Sequence, residues 1–267
     1  MKDNNDGASL EPIAIVGMGC RFPGLKDCPT DSPQSFWHLL NTEDDILREI
    51  PASRWDIDTY YDSERSAPGK MYVRKGYFLD NVDQFDCQFF NLAPKEADSL
   101  DPQQRLILEV SWEALESAYV NPAANVNSQT GIFVGTSWDD YSSQRLYASA
   151  LTAIDRYSLL SNQRSSVSGR IAHLLGVYGP ALTIDTACAS SLSAVHLASQ
   201  SLRSGECDLA LAGGVFLMLA PETMVGFCRL GLLSGDGRTR AFNHDADGFG
   251  QGEGVKCQLH RREKSKE

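Results

Sequence analysis

A layered α/β fold is predicted by three features of the sequence. Short apolar runs of buried-strand type stand at 12–17, 131–135, 181–185 and 208–215, stretches of helical period lie between them, and glycine or proline marks the breaks. The 267 residues, 42% hydrophobic and 22% charged, are enough to bury a sizeable core.

Taken in order, Pro12-Ile13-Ala14-Ile15-Val16-Gly17 is apolar and stopped by glycine, which predicts a first buried strand and then a loop through Pro23 and Gly24. Ser32-Pro33 opens a short helix around Phe36, Trp37, Leu39 and Leu40, because the missing proline N–H is harmless in a first turn. Residues 51–92 are rich in aromatics (Trp55, Tyr72, Phe78 and Phe90 among them) without a sustained period, so a long excursion is expected, its rings packed on the core. Asp101-Pro102 starts a helix to Ala118 with Ile107, Val110, Ala114 and Ala118 along one face.

The second strand is 131–135, and Ser165 to Leu175 is helical until Gly176 and Gly179-Pro180 break it. The third, 181–185, is read as buried and leads into a helix from Cys188 to Arg203 with Leu192, Val195, Ser199 and Leu202 facing inward. The fourth runs over 208–215, and a helix after Met218 continues through Arg229. Glycines 248, 250, 252 and 254 then lead to a last strand near Val255–Leu259, whose partial alternation, broken by Lys256 and Gln258, fits either an edge strand or the start of unrelated sequence. Polar residues 1–10 are expected to be a disordered tail and 261–267 a charged one, leaving 11–260 as a single folded domain.

Composition narrows the function classes. The net charge is −11 and the basic residues are scattered, which argues against nucleic acid as a partner. No apolar run approaches the ~20 residues of a membrane span, and the start lacks a secretory pattern, so a cytoplasmic location is expected. The seven cysteines are widely spaced without CxxC or Cys/His clusters, which predicts neither a metal site nor a disulfide framework. Most should be buried thiols acting as small hydrophobes.

One cysteine stands apart by context. In Asp185-Thr186-Ala187-Cys188-Ala189-Ser190-Ser191 a strand ends and small residues lead into a helix, so Cys188 is expected at a helix N-terminus, where free N–H groups and the dipole favour thiolate. Small neighbours admit a carbonyl, and the Cys188 backbone N–H is placed to form half of an oxyanion hole. The layout repeats the strand–nucleophile–helix logic of hydrolase elbows.

The string DTACASS is similar to the active-site signature of β-ketoacyl synthases. The strings PIAIVGMGCRFPG, FDCQFFNLAPKEADSLDPQQRLILEVSWEALE, GIFVGT, GPALTIDTACASSL and DGRTRAFNHDADGFGQGEG extend the resemblance, in order, over nearly all of 11–254. MGCRFPG and DPQQRLILEVSWEALE resemble modular polyketide synthases more than fatty-acid enzymes. The resemblance implies a thiolase-like α/β/α/β/α fold, of which this chain supplies the N-terminal half plus part of the second, and a homodimer with the strand before the nucleophile near the two-fold axis. It also implies that Cys188 takes an acyl group from the phosphopantetheine arm of an acyl-carrier protein. A malonyl unit then condenses with it by decarboxylation, and no tightly bound cofactor is expected.

The same family uses two further histidines, one in an HGTGT-like motif, and a second oxyanion donor from a glycine-rich loop, all downstream of DGFGQGEG. His38, His173, His196, His244 and His260 stand in no such motif. The expectation is therefore acylation at Cys188 with full condensation dependent on other polyketide synthase domains or on a chain supplying the missing half. The alternative is a non-catalytic truncated piece that serves as a dimerisation or docking surface. A dinucleotide-binding reading of Val16-Gly17-Met18-Gly19 is weaker, since the third glycine falls at Gly24 behind Pro23.

Overall fold

The computed structural model describes residues 11–25, 28–42, 44–147 and 150–262; the tail 1–10 lies outside them. In chain order the elements are β1 (Ile13–Leu25), β2 (Cys28–Thr30), α1 (Pro33–Thr42), β3 (Arg48–Glu49), α2 (Ile57–Tyr60), β4 (Lys75–Gly76), α3 (Pro94–Ser99) and α4 (Pro102–Ser117). They continue with β5 (Thr130–Gly135), the single turn α5 (Asp140–Ser142), α6 (Ser166–Leu175), β6 (Ala181–Ile184), α7 (Ser190–Ser204), β7 (Leu209–Phe216), α8 (Pro221–Arg229) and β8 (Gly254–Arg262). The main sheet has the order β2-β1-β8-β7-β5-β6, with β8 antiparallel to both neighbours and β5 parallel to β6 and β7.

Alternation along the strands assigns each face. Ile132, Val134, Leu211, Val215, Val255 and Leu259 meet Ile107, Val110, Ala114 and Ile171 of α4 and α6. On the opposite face Phe133, Ala210 and Ala212 meet Ala194, Ala198 and Leu202 of α7. Each large aliphatic buried this way contributes ~1.5–3 kcal/mol. The described residues thus build three of the five layers that the resemblance implies.

Four expectations need correction. β1 does not stop at Gly17; it runs through the expected loop because β8, far along the chain, pairs with it from Ile13 to Arg21. Pro23 is tolerated because the ladder to β2 is irregular between Phe22 and Leu25, where no N–H is needed. β8 is a central strand, not an edge, and it extends to Arg262, two residues into the stretch read as a charged tail. β6, read as buried, is an edge strand opposite β2, with Leu182 44% exposed.

The fourth concerns α7, which starts at Ser190 and turns Ser190, Ala194, Ala198, Ser201 and Leu202 inward while Leu192 is 68% exposed. The sheet beneath its first turn offers Gly135 and Gly214, which meet Ser190 and Ser191 directly, while the expected Leu202 and Val195 do pack inward farther along the helix.

α4 follows the sequence closely. Asp101 accepts the Gln103 N–H at 2.8 Å as its N-cap, and Ile107, Val110 and Ala114 are fully buried. β1 lies in backbone contact beneath this helix, since a Cβ on Gly19 would stand 2.6 Å from the Val110 carbonyl oxygen and one on Gly17 would overlap that of Ala114. Those glycines serve helix–sheet packing inside a strand and form no phosphate loop. The aromatic excursion packs as expected, with Trp55, Tyr72 and Phe78 buried against Met218, Met224 and Leu233, although Phe89 stays exposed with its ring edge on Trp112.

Candidate active site

β6 ends at Ile184 and α7 begins at Ser190, and the turn between them carries Cys188. Ala187 has φ 51°, a left-handed conformation that costs ~1 kcal/mol or more for a residue with a Cβ. The positive φ therefore falls on the residue before Cys188. Hydrogen bonds hold it there: Ala187 N–H donates to Asp185 Oδ1 at 3.1 Å, and its carbonyl accepts from Ser190 Oγ at 2.6 Å and Ser137 Oγ at 3.3 Å. Thr186 N–H donates to Ser190 Oγ at 2.9 Å. The Cys188 N–H donates to no group among the described residues.

The turn is seated by glycine. A Cβ on Gly135 would lie 2.5 Å from the Ser190 carbonyl carbon, and one on Gly214 would lie 2.8 Å from Ser191 Cβ. Both are below any real Cβ contact, so the start of α7 touches the ends of β5 and β7 directly.

Arg164 then ties the turn to the neighbouring loop. It pairs with Asp185, donates through Nε to Asp139 at 2.7 Å, and donates to the Ser137 carbonyl at 2.6 Å. The Ala187 N–H bond, helped by Ser137 and Arg164, holds Asp185 below the usual carboxylate range.

Cys188 opens onto a cleft of about 600 Å3 walled by Trp138, Phe216, Phe227, Leu232 and Phe249, with the glycine-rich 250–254 segment along one side. Trp138 and Phe249 both stand near-edge-on to Phe227, with ring centroids 5.7 and 6.2 Å away. The other thiols are placed differently. Cys20, Cys207, Cys228 and Cys257 are buried, and burial pushes Cys20 and Cys257 up to about 11. Cys28 is exposed on β2 and Cys87 is half-buried, and neither lines the cleft.

Among the described residues no histidine lines this cleft. His38, His173, His196 and His244 are exposed, and His260 is buried on β8, where burial lowers its pKa and Nε2 finds no partner among the described residues. The sequence located Cys188 and the strings around it. It did not single out Gly135, Gly214, Arg164, Ser137, Trp138 or Phe227 as parts of one site. Gly135 and Phe249 lie inside the strings GIFVGT and DADGFG, and the others carry no local signal.

A mixed sheet with one antiparallel strand inside it, and a cysteine at the head of the helix packed on one face, define the thiolase-like class of fold. The chain belongs to the β-ketoacyl synthase family: residues 10–265 match the model of the β-ketoacyl synthase N-terminal domain. It is 47% identical over 92% of its length to the polyketide synthase GfsB of Streptomyces halstedii. It is also 46% identical over 92% of its length to the phthioceranic/hydroxyphthioceranic acid synthase of Mycobacterium tuberculosis.

Among solved structures it resembles the oxazolomycin ketosynthase domain OzmH KS7 of Streptomyces albus, with a TM-score of 0.87 and 36% identity over 94% of this chain. The ketosynthase from module 6 of the Bacillus subtilis bacillaene synthase follows at a TM-score of 0.79 and 36% identity over 94%. The chain spans 42% and 40% of these two ketosynthases, and 4% and 11% of the two synthases matched by sequence. No described helix is long and apolar enough to cross a membrane.

Proposed function

We propose that Cys188 accepts an acyl group as a thioester from the phosphopantetheine arm of an acyl-carrier protein, the first half-reaction of a polyketide-type ketosynthase. The observation that carries this reading is placement: Cys188 is exposed and lines an apolar cleft, and no other described cysteine lines it. The Cys188 sulfur attacks the acyl carbonyl carbon, the bond to the pantetheine sulfur breaks, and the pantetheine thiol leaves with the proton. In this reading the Cys188 N–H, for which no hydrogen-bond partner is found among the described residues, serves as one of two donors to the developing oxyanion.

In the second half-reaction the carbanion left when malonyl-carrier protein loses CO2 attacks the acyl carbon, and the Cys188 thiolate departs. Among the described residues no histidine lines the cleft, and this half-reaction requires decarboxylating histidines and a second oxyanion donor besides the groups named here. The open edge of β6, with Ala181 and Leu182 exposed, suits pairing of two copies about a two-fold axis. An apolar cleft on a catalytic-type turn favours this reading over a purely structural docking role.

Intact mass spectrometry after incubation with an acyl-pantetheine thioester tests it, with malonyl decarboxylation followed in parallel. The expected result is one acyl adduct on the wild type, none on Cys188→Ala, and no CO2 release. Absence of an adduct on the wild type would overturn it.

A further inference from the structure

The connection from β7 to α8, Leu217 to Ala220, is buried and irregular, so its backbone N–H groups need partners that no helix or strand supplies. Three buried side chains from separate parts of the chain supply them. Leu217 N–H donates to Gln103 Oε1 at 3.3 Å, Met218 N–H to Glu253 Oε1 at 2.9 Å, and Leu219 and Ala220 N–H to Asp140 Oδ2 at 3.1 and 3.2 Å. Asp140 also accepts from Thr223 Oγ1 in the first turn of α8 at 2.8 Å. Glu253 is itself held by Arg54 at 3.0 Å.

Gln103 does one thing more. Its Nε2 donates to the Trp138 carbonyl at 3.1 Å, so a single amide at the start of α4 joins the loop that carries Trp138 to the segment that aims α8. α8 carries Phe227, whose ring meets Trp138 across the cleft. Both aromatic walls beside Cys188 are therefore registered against each other through Gln103, which does not line the cleft. The amide fits this task because it donates and accepts at once, whereas a carboxylate would set an oxygen against the Trp138 carbonyl.

We infer that Gln103 is a positioning residue for acyl selection: through Trp138 and Leu217 it fixes the aromatic walls that a longer acyl chain touches and an acetyl group does not. This rests on the proposed acylation of Cys188. A wall held in place binds a chain better than one that must be ordered on binding, so loosening it selectively slows acylation by long chains.

The test measures acylation rates of the full chain with acetyl- and octanoyl-pantetheine for wild type, Gln103→Leu, Gln103→Glu, Trp138→Ala and the Trp138→Ala/Gln103→Leu pair. Gln103→Leu should slow octanoyl transfer by about tenfold and leave acetyl transfer within about twofold. Gln103→Glu keeps the acceptor for Leu217 but loses the donor to Trp138; it should slow octanoyl transfer about threefold, and it decides the matter if the leucine variant does not fold. In the Trp138→Ala background the Gln103 change should no longer alter the octanoyl-to-acetyl ratio, because its route to the chain is gone.

Equal slowing of both substrates, no slowing, or an undiminished effect without Trp138 would each overturn the inference. Failure of the wild type to acylate would instead strike the underlying reading. The inference would then be read from Cys188 alkylation by iodoacetamide against N-octyl iodoacetamide in the same variants, where the same selective loss is expected and an unchanged ratio would contradict it.

Discussion

α4 and α7 flank the same sheet, yet they are buried to different degrees. α4 turns most of its length inward, including Gln103, Gln104 and Arg105, whereas α7 buries chiefly Ser190, Ala194, Ala198, Ser201 and Leu202 and leaves Leu192 outside. α4 closes its face of the sheet with large aliphatic residues and buried polar side chains that reach neighbouring loops. α7 sits close on glycine and alanine, and that proximity fixes the turn at Cys188. One helix thus closes a face of the sheet, and the other fixes the turn that carries Cys188 while leaving its own outer surface exposed.

The largest effect expected from breaking this contrast is on chemistry. Cys188→Ala should reduce acylation by more than about 100-fold while the thermal unfolding midpoint stays nearly unchanged, since an exposed residue away from packing contributes within roughly 0.5 kcal/mol. Ile107→Ala, at the closed face, should cost about 2–5 kcal/mol in a denaturant titration.

Gly135→Ala tests the seat of α7. Its Cβ would press on the Ser190 backbone, so a loss of about 1–3 kcal/mol with a disproportionate loss of acylation is expected; full activity would mean that the turn does not depend on that contact. Leu192→Ser on the outer face of α7 should change the stability of this chain by no more than about 0.5 kcal/mol.

A pH series sharpens the account of α4. Burial pushes the Asp101 carboxyl up to about 6, above its value of about 3.9 in an unfolded chain. The folded protein then holds a proton that the unfolded chain releases, so this group favours folding below about pH 4, and that contribution is lost as pH rises through 6. Asp101→Asn keeps an N-cap without the charge. The variant should match the wild type near pH 4 and exceed it in stability at pH 7.5, by about 2–3 kcal/mol at most; equal midpoints at both pH values would count against a strained carboxylate.

What was legible in the sequence was local. The α4 cap and period, the glycine stop of α6 and the turn around Cys188 are set by neighbours within a few residues. The full length of β1 and the central place of β8 depend on pairing between opposite ends of the chain, so an apolar run alone misjudged both.

The exposure of β6 depends on sheet order, which no single strand reveals. On α7 the periodicity places Leu202 and Val195 inward as found and misplaces Leu192, because the sheet under the first turn is Gly135 and Gly214 in direct contact with Ser190 and Ser191. Of the site, Cys188 stands out in the sequence, whereas Arg164, paired with Asp185 on its turn, and the cleft walls Trp138 and Phe227 join it only through the fold.

The most direct test of the central claim is site-resolved acylation, with each cysteine of the folded chain followed by peptide mass mapping during exposure to an acyl-pantetheine thioester. Cys188 and Cys28 are both exposed, so exposure alone cannot separate them. If the turn and its cleft make the difference, Cys188 should acquire the acyl group at least ~100-fold faster than Cys28, and Gly135→Ala should shrink that ratio. Comparable rates at the two cysteines would contradict the account.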